Sequence, residues 1–445
     1  MADPEIAYNL ALDYLYSYVD YSLKHSSELA RANFNLDRMR ALMNELGDPH
    51  LRYPIVHVAG TKGKGSVCAL AASGLQAAGY RVGLYTSPHL IDYCERIRVD
   101  GQPITHGELV DLVELARPAV ARIPELTTFE ITTALGLRHF ADKQVEAAVI
   151  EVGLGGRLDA TNVVTPRVSV ITSLSYDHMA VLGDTLDKIA AEKAGIIKPG
   201  VPVISAPQKD EALEVLKRIA GERKAHFTLV GRDITFRPLQ HSLKGQTLRV
   251  VGPDQALTVS IPLLGAHQVQ NAATALAALW KLRAQGLEIP DMALQAGFGR
   301  VKWPARFQVV RREPPVILDS AHNQDSFARL RQALDDYFPR RPIYLVFGAS
   351  EDKNIPGMFE EIRGKVKQLF ITRADHPRAL PTAQIVEFAE RAGLPYAVIS
   401  AVDAAFDAAL EASTKDGSIV VSAGSIFVTA EAMASWQQRQ PHGPA

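Results

Sequence analysis

The segment that decides the fold is PIVHVA (54–59), followed directly by Gly60-Thr61-Lys62-Gly63-Lys64-Gly65-Ser66. The first part is a short apolar run that predicts a buried strand, and residues 67–78 predict a helix after the glycine-rich loop. Strand, glycine loop and helix in this order are the context of a phosphate-binding loop. In such loops backbone N–H groups and a helix start hold phosphate oxygens, so Lys64 is predicted to reach the terminal phosphates and Ser66 a magnesium ion.

This loop departs twice from the general pattern, which has Gly four residues before Gly-Lys and Ser or Thr directly after. Val58 stands at the leading Gly position, and Gly65 separates Lys64 from Ser66. A tight glycine turn that binds nothing is therefore the alternative at this point.

Strand-like and helix-like segments alternate on both sides of the loop. Strands are predicted at 81–85, 147–152, 168–172 and 201–205, with helices at 128–141 and 185–196. This alternation predicts an α/β fold, a mainly parallel sheet with helices on both faces. Four short β-like runs within 226–262 interrupt it and predict a small antiparallel insert.

The predicted domain boundary is 300–315, where three prolines and several charges are typical of a hinge linker. The alternation resumes beyond it, so we expect an N-terminal phosphate-loop domain over 1–299 and a smaller Rossmann-like α/β domain over 316–445.

The composition excludes several classes of function. A net charge of -1 gives no broad basic surface for nucleic acid, and no apolar run reaches the ~18 residues typical of a membrane span. The start of the chain lacks the basic segment of a signal peptide. Cys68 and Cys94 are the two cysteines, which favours reduced thiols, argues against a thiol-rich zinc site and predicts a cytoplasmic protein.

Two polar residues are predicted to face the glycine loop. Glu151 follows an apolar strand and His178 follows the next one, and ligands in open α/β sheets bind at the carboxyl ends of strands. Magnesium prefers oxygen ligands, which suits Glu151 and Ser66. His178 is either a ligand or a residue that hydrogen-bonds within its loop, and pattern alone makes Lys193 a solvated helix lysine.

The loop and a series of further motifs closely resemble the folylpolyglutamate synthase and dihydrofolate synthase branch of the Mur ligase superfamily. That family usually has Asn where Lys62 stands. The motifs run in the family's order from residue 57 to 425: Ser87-Pro88-His89-Leu90, Glu95-Arg96-Ile97, Thr128-Phe129-Glu130, EVGLGGRLDATN (151–162), Asp177-His178, Glu192-Lys193-Ala194-Gly195-Ile196, His267-Gln268, Asn271, Asp319-Ser320-Ala321-His322-Asn323 and Gly424-Ser425.

The resemblance implies a Mur-type ligase that uses ATP to join L-glutamate to a folate through an acyl phosphate. It also implies two magnesium ions, one held by Ser66 and Glu151 and the other by Glu151 and His178, with Lys193 carbamylated beside them. Small-molecule substrates, no nucleic-acid or membrane partner and a monomer are expected.

The resemblance further implies contacts for individual residues. ATP is expected to contact the loop residues Gly60 to Ser66, adenine Asn271, its ribose Asp319 and its phosphates Arg306, which together with Lys64 supplies positive charge. The folate and glutamate side is expected to use Ser87, His89, Thr127, Phe129, Asp159, Ala160, His322 and Ser425. His322 can face either the incoming amino acid or the phosphates. From the residues alone, Thr127 can equally cap a helix and Phe129 can equally pack in the core.

Departures from the family pattern and rival functions stay open. Ala305 replaces the glycine of Pro-Gly-Arg, while Ser320 and Gln324 alter the motif after the Asp319 strand. A peptidoglycan ligase would need an extra N-terminal domain to bind a UDP group, whereas about 50 residues precede the loop here. A nucleotide switch would want Asn-Lys-x-Asp, which is absent from the sequence. We expect extension of the glutamate tail; the motifs also allow addition of the first glutamate to dihydropteroate.

Overall fold

The loop segment lies at the centre of an eight-stranded sheet in a computed structural model that describes residues 3–20 and 35–439. The strand order is β4-β3-β2-β5-β1-β6-β7-β8, and β1 carries the glycine loop between β5 and β6. All pairings from β2 to β8 are parallel, whereas β3 and β4 form an antiparallel edge. The strands are β1 (Ile55–Ala59), β2 (Val82–Tyr85), β3 (Ile97–Val99), β4 (Gln102–Pro103), β5 (Ala147–Glu151), β6 (Val168–Ile171), β7 (Val203–Ser205) and β8 (Phe227–Leu229).

Helices accompany this sheet as the alternation predicts. In α2, which Asn35 caps, Met39, Leu42 and Met43 are buried on one face. The helices are α1 (Pro4–Tyr16), α2 (Leu36–Glu45), α3 (Lys64–Ala77), α4 (His106–Val120), α5 (Thr128–Asp142), α6 (Met179–Leu182), α7 (Leu186–Ala194), α8 (Asp210–Glu222), α9 (Ala266–Arg283) and α10 (Asp291–Arg300).

The predicted antiparallel insert is smaller than expected. The sequence predicts that residues 227–230 belong to it, and that prediction is wrong, because β8 in this run pairs in parallel with β7 in the large sheet. The other three runs form a separate sheet of order β11-β10-β9, made of β9 (Thr235–Ser242), β10 (Gly245–Val251) and β11 (Ala256–Ile261).

The C-terminal part of the chain contains a six-stranded sheet of order β12-β13-β17-β14-β15-β16. It is parallel except for β12, which pairs antiparallel with β13 at one edge and lies inside the range predicted as a linker. Its strands are β12 (Gln308–Arg312), β13 (Pro315–Leu318), β14 (Ile343–Phe347), β15 (Val366–Ile371), β16 (Tyr396–Val398) and β17 (Ile419–Ala423). Its helices are α11 (Gln324–Tyr337), α12 (Ile355–Ile362), α13 (Thr382–Ala392), α14 (Val402–Asp416) and α15 (Ile426–Gln438).

The chain divides into two compact units. The first comprises the ranges Met1–Leu239, Thr247–Pro262 and Val269–Val301, and the second comprises Gln240–Gln246, Leu263–Gln268 and Lys302–Ala445. Two short segments before residue 300 therefore belong to the second unit. Among the described residues, no helix has the length and apolar character needed to cross a membrane.

Candidate active site

The glycine loop at the end of β1 can be made only with glycine at two positions. Gly60 has φ 152°, and a β-carbon there would lie 1.8 Å from Thr172 Oγ1. Gly63 has φ 92°, and a β-carbon there would lie 2.3 Å from Asn271 Oδ1. Both backbones therefore approach neighbouring side chains more closely than any other residue allows.

The loop is tied to the segment that follows β6. The backbone N–H groups of Thr61 and Lys62 donate to Ser173 O at 3.0 and 3.1 Å. The Thr61 hydroxyl donates to Ser175 O at 3.1 Å. Helix α3 then begins at Lys64, so the positive end of its dipole lies at the loop, where it favours a bound anion.

Lys64 and Glu151 meet because β1 and β5 are neighbours in the sheet. The Lys64 ammonium lies 3.9 Å from Glu151 Oε1, and the Glu151 side chain is buried. Ser87, at the end of β2, points its backbone N–H at Glu151 Oε2 at 3.4 Å. Three parallel strands thus bring Lys64, Glu151 and the Ser87 loop together at their carboxyl ends.

Lys62 forms an ion pair that the sequence analysis did not assign. Its ammonium lies 3.1 Å from Asp177 Oδ2, with 13% and 11% of the two side chains exposed. His178 follows in a left-handed conformation, φ 49°, at the start of α6, and its backbone N–H donates to Asp177 Oδ1 at 3.1 Å. Asp177 thus joins the loop to His178. The Asp177-His178 pair among the motifs was the available signal for it.

Lys193 is buried at the centre of this site, so its interpretation as a solvated lysine is wrong. Its ammonium nitrogen donates to Gly60 O at 3.0 Å. Burial first, and then the positive charge of Lys64, lower the Lys193 pKa to about 7, while Asp177 and Asp159 oppose this. A sizeable fraction of this amine is therefore neutral at neutral pH.

Thr127 and Phe129 lie at the start of α5. The Thr127 hydroxyl accepts from Glu130 N, and Glu130 Oε2 accepts from Thr127 N at 2.8 Å, so Thr127 caps this helix. The Phe129 ring packs over Gly153, where a β-carbon would lie 2.5 Å from Phe129 Cζ. The ring is half-buried and stays partly accessible.

Asp159 and His89 are both held by local hydrogen bonds. The Asp159 carboxylate accepts from Thr161 N at 3.0 Å and Leu154 N at 2.8 Å, and burial raises its pKa. Asp159 thereby begins the short helical turn that carries Ala160. His89 Nδ1 accepts from Arg96 Nε at 3.0 Å, and burial, followed by the charge of Arg96, lowers the His89 pKa to about 4. This imidazole is therefore neutral at neutral pH.

The site residues of the second unit lie after β13 and β17. The Asp319 carboxylate accepts from Phe307 N at 2.7 Å and Ala321 N at 2.8 Å. Arg306 lies between Ala305 and Phe307, which have φ 56° and 46°. Residues other than glycine are strained in this left-handed conformation. Ala305 and Phe307 thus form a left-handed turn around Arg306 although neither is glycine.

His322 and Ser425 complete this group within the second unit. His322 Nδ1 lies 2.8 Å from Ser320 O, so this ring nitrogen carries the hydrogen. Ser425 caps α15 through its hydroxyl, which accepts from Phe427 N at 3.2 Å. Gly424 N donates to Ala321 O at 2.7 Å, which brings the loops after β13 and β17 together.

Comparison with known proteins agrees with this arrangement. Residues 58–279 match the Mur ligase middle domain, and residues 305–426 match the Mur ligase, glutamate ligase domain. A dihydrofolate synthase/folylpolyglutamate synthase of Bacillus subtilis is 39% identical over 356 residues, which are 77% of this chain and 82% of that protein.

Solved structures agree over nearly the whole chain. A Mycobacterium tuberculosis folylpolyglutamate synthase complexed with ADP has a TM-score of 0.89 and 32% identity, over 99% of this chain and 100% of that one. Escherichia coli FolC in complex with DHPP and ADP has a TM-score of 0.82 and 30% identity, over 95% and 100% of the two chains.

The two domain matches and the two α/β sheets make this chain an ATP-dependent ligase of the Mur type. Within that class it belongs to the folylpolyglutamate synthase and dihydrofolate synthase family. The peptidoglycan-ligase and nucleotide-switch alternatives are thereby set aside.

Proposed function

We propose that this enzyme adds L-glutamate to the glutamate side chain of a folate, using ATP and an acyl-phosphate intermediate. The observation that carries the proposal is a pair of contacts at the glycine loop. The buried Lys193 ammonium donates to Gly60 O, and Lys64 lies beside Glu151, an arrangement suited to phosphoryl transfer. The names of the relatives supply the substrate class.

The reaction has two steps. A folate carboxylate oxygen attacks the γ-phosphorus of ATP, and the bond from that phosphorus to the ADP oxygen breaks. The glutamate amine then attacks the acyl carbon, expels inorganic phosphate and loses a proton. Positioning and neutralisation of charge carry most of phosphoryl transfer, and the ammonium of Lys64 and the N–H groups at the start of α3 serve those roles here.

Magnesium fits the donors present at the loop. Ser66 and Glu151 are buried oxygen donors in the first turn of α3 and at the end of β5, which suits a hard cation. We assign one ion to Ser66 and Glu151 and a second to Glu151 and His178. Bound there, magnesium would supply positive charge to the phosphates of ATP.

The environment of Lys193 supports its proposed carbamylation. The neutral amine attacks CO2, a C–N bond forms, and one proton leaves to give an anionic carbamate that could help to hold the second magnesium ion. A pKa of about 7 makes the neutral form available. Carbon-13-labelled bicarbonate should give a carbamate NMR signal that Lys193→Met abolishes and that Lys198→Met, a half-buried matched lysine, retains.

The folate ring is assigned to the Phe129 side of the first unit. The accessible part of the Phe129 ring offers a flat apolar face, and Thr127, Ala160 and the Ser87–His89 loop complete the proposed pocket. The Asp159 carboxylate would accept hydrogen bonds from an aminopyrimidine edge. It would use the lone pairs that are not engaged by hydrogen bonds from its own turn.

Nucleotide and glutamate contacts of the later residues are also proposed. Asn271 lies against Gly63 and is assigned to adenine. In the second unit, Arg306 is assigned to phosphate, Asp319 to ribose, and His322 with Ser425 to the incoming glutamate. We also propose that 300–315 acts as a hinge, and that the enzyme is a cytoplasmic monomer in which Cys68 and Cys94 form no disulfide.

A second activity, dihydrofolate synthesis, has specific support. The B. subtilis relative carries both activities in its name, and the E. coli structure contains DHPP. Steady-state kinetics with dihydropteroate and with tetrahydrofolate, each with glutamate and ATP, would show which acceptor is used.

Trapping of the intermediate tests the proposal directly. With ATP, a folate and hydroxylamine in place of glutamate, the enzyme should release an acyl hydroxamate. Lys64→Met should abolish it, whereas Lys217→Met on the exposed surface of α8 should not. Absence of ATP turnover with every folate plus glutamate would refute the proposed function.

A further inference from the structure

Three different metal-binding side chains meet at one point of the first unit, outside the site described above. They are Asp92 and Cys94, in the turn before β3, and His106, the first residue of α4. One potential ligand atom from each lies within 4.8 Å of the other two. His106 Nε2 and Asp92 Oδ2 lie 2.9 Å apart.

The His106 ring is fixed so that Nε2 points to this cluster. Glu5 Oε1 lies 3.0 Å from Nδ1, on the opposite side of the ring. Tyr8 stacks on the ring with centroids 3.6 Å apart and planes at 2°. A carboxylate behind one imidazole nitrogen is the usual support for a histidine that ligates metal through the other nitrogen.

The cluster also has suitable burial and charge. Cys94 is buried, whereas His106 and Asp92 keep 32% and 39% of their side chains exposed, so an ion can enter from solvent. The Tyr8 hydroxyl lies 3.2 Å from Asp92 Oδ1 and 4.0 Å from Cys94 Sγ, which places a further oxygen at the same point. Sulfur, nitrogen and oxygen donors together favour zinc or a similar borderline metal over magnesium.

We propose that Asp92, Cys94 and His106 bind one zinc-class divalent ion, with water in the fourth position. On binding, the Cys94 thiol gives its proton to solvent and an S–metal bond forms. The proton shared by His106 Nε2 and Asp92 Oδ2 also passes to solvent, so that both atoms can bind the ion. This site is distinct from the proposed magnesium site and does not depend on the ligase reaction.

Such an ion would tie three separate elements together. Glu5 and Tyr8 belong to α1 and His106 to α4, while Asp92 lies in the turn that leads from the Ser87–His89 loop. Glu95 accepts from the backbone N–H groups of Leu90 and Asp92 at 3.1 and 3.0 Å, so this turn is continuous with that loop. The proposed role is therefore structural, the anchoring of α1 and the loop.

Cobalt titration of the metal-free full-length chain tests the site, with excess magnesium present to saturate the other site. One equivalent of Co2+ should give a near-ultraviolet thiolate-to-cobalt band and the intense visible bands of four-coordinate cobalt. Cys94→Ser should abolish the thiolate band, and Cys68→Ser, the matched control, should keep it. No band at one equivalent, or a band lost only in Cys68→Ser, overturns the proposal.

Because Cys94 is buried, misfolding of Cys94→Ser would also abolish the band, so two variants at more exposed positions test the site independently. His106→Gln should remove the four-coordinate spectrum. Glu5→Gln should keep the thiolate band but weaken zinc affinity about 10- to 100-fold, since it removes only the support of the ligand. Unchanged zinc affinity in both variants would show that His106 is no ligand, and would also overturn the proposal.

Discussion

Lys193 shows how burial alters the chemistry of one side chain. In α7 it follows Ile189 by four residues, and Ile189, Ala190 and Ala194 are buried on the same face. That spacing was the signal that the lysine faces the interior. Helix periodicity cannot say what the buried face touches, so the contact with Gly60 O became visible only in the structure.

Lys193→Met should separate stability from activity. Because the folded pKa is about 7 and the ordinary value 10.5, the unfolded chain holds an extra proton between these pH values. Stability of the wild type therefore rises with pH across that window, and the full penalty, on the order of 5 kcal/mol, applies below pH 7. Compared with the wild type, Lys193→Met should therefore be stabilised most at pH 6 and least near pH 10. Its kcat should be at least ~100-fold lower than that of the wild type.

Urea unfolding at several pH values, together with kcat, measures both effects. Lys193→Arg is the matched control, because it keeps a charge that cannot be released and cannot form a carbamate. It should be inactive and destabilised. A pH-independent difference between Lys193→Met and wild type would contradict the assigned pKa.

The Lys62–Asp177 pair supports the glycine loop from one side. Loss of either charge should raise the KM for ATP roughly tenfold, since it removes an ion pair that water barely reaches and that holds the glycine loop. The double variant Lys62→Met with Asp177→Asn should be no worse than either single one, because both remove the same contact. Additive losses would show that the two residues act separately. Lys217→Met, which breaks the more exposed ion pair with Glu214, is the control.

At the scale of elements, the order of the strands explains why much of the site could be predicted. Glu151 and His178 follow strands on either side of β1, and parallel strands end at one edge. The sequence could not place β8, because a three-residue strand has too little pattern to show its partner. Its pairing with β7 depends on contacts across the connection through α8.

Gly60→Ala tests the strand–loop–helix element itself. The added β-carbon would meet Thr172 Oγ1 at 1.8 Å, and φ 152° is unfavourable for alanine, so the loop must shift. A cost of about 3 kcal/mol corresponds to roughly 100-fold weaker ATP binding in calorimetry. Gly221→Ala in α8, where a β-carbon meets nothing within 4 Å, should bind ATP normally. Adding Thr172→Ala to Gly60→Ala should restore only part of the affinity, and full recovery would rule out backbone strain.

At the scale of the whole molecule, the second unit depends on residues from before the predicted linker. Leu264 is buried in the same apolar cluster as Phe307 and Phe327. Gln246 Nε2 donates to Leu263 O at 2.7 Å and to Gly265 O at 3.0 Å. A sequence-based division at 300–315 has no means of assigning these segments, since the cluster that buries Leu264 is formed by residues beyond the division, such as Phe307 and Phe327.

A fragment of residues 302–445 should therefore be less stable than a fragment that also carries 240–268. Burial of Leu264 alone is worth about 1.5–3 kcal/mol, and its absence leaves apolar surface of Phe307 and Tyr337 exposed. Urea unfolding should show a lower midpoint for the shorter fragment. In the full chain, Leu264→Ala should cost about 2–5 kcal/mol, whereas Val398→Ala, at a position 46% exposed, should cost far less. Equal midpoints for the two fragments would mean that 302–445 folds as a unit by itself and that the earlier segments only lie against it.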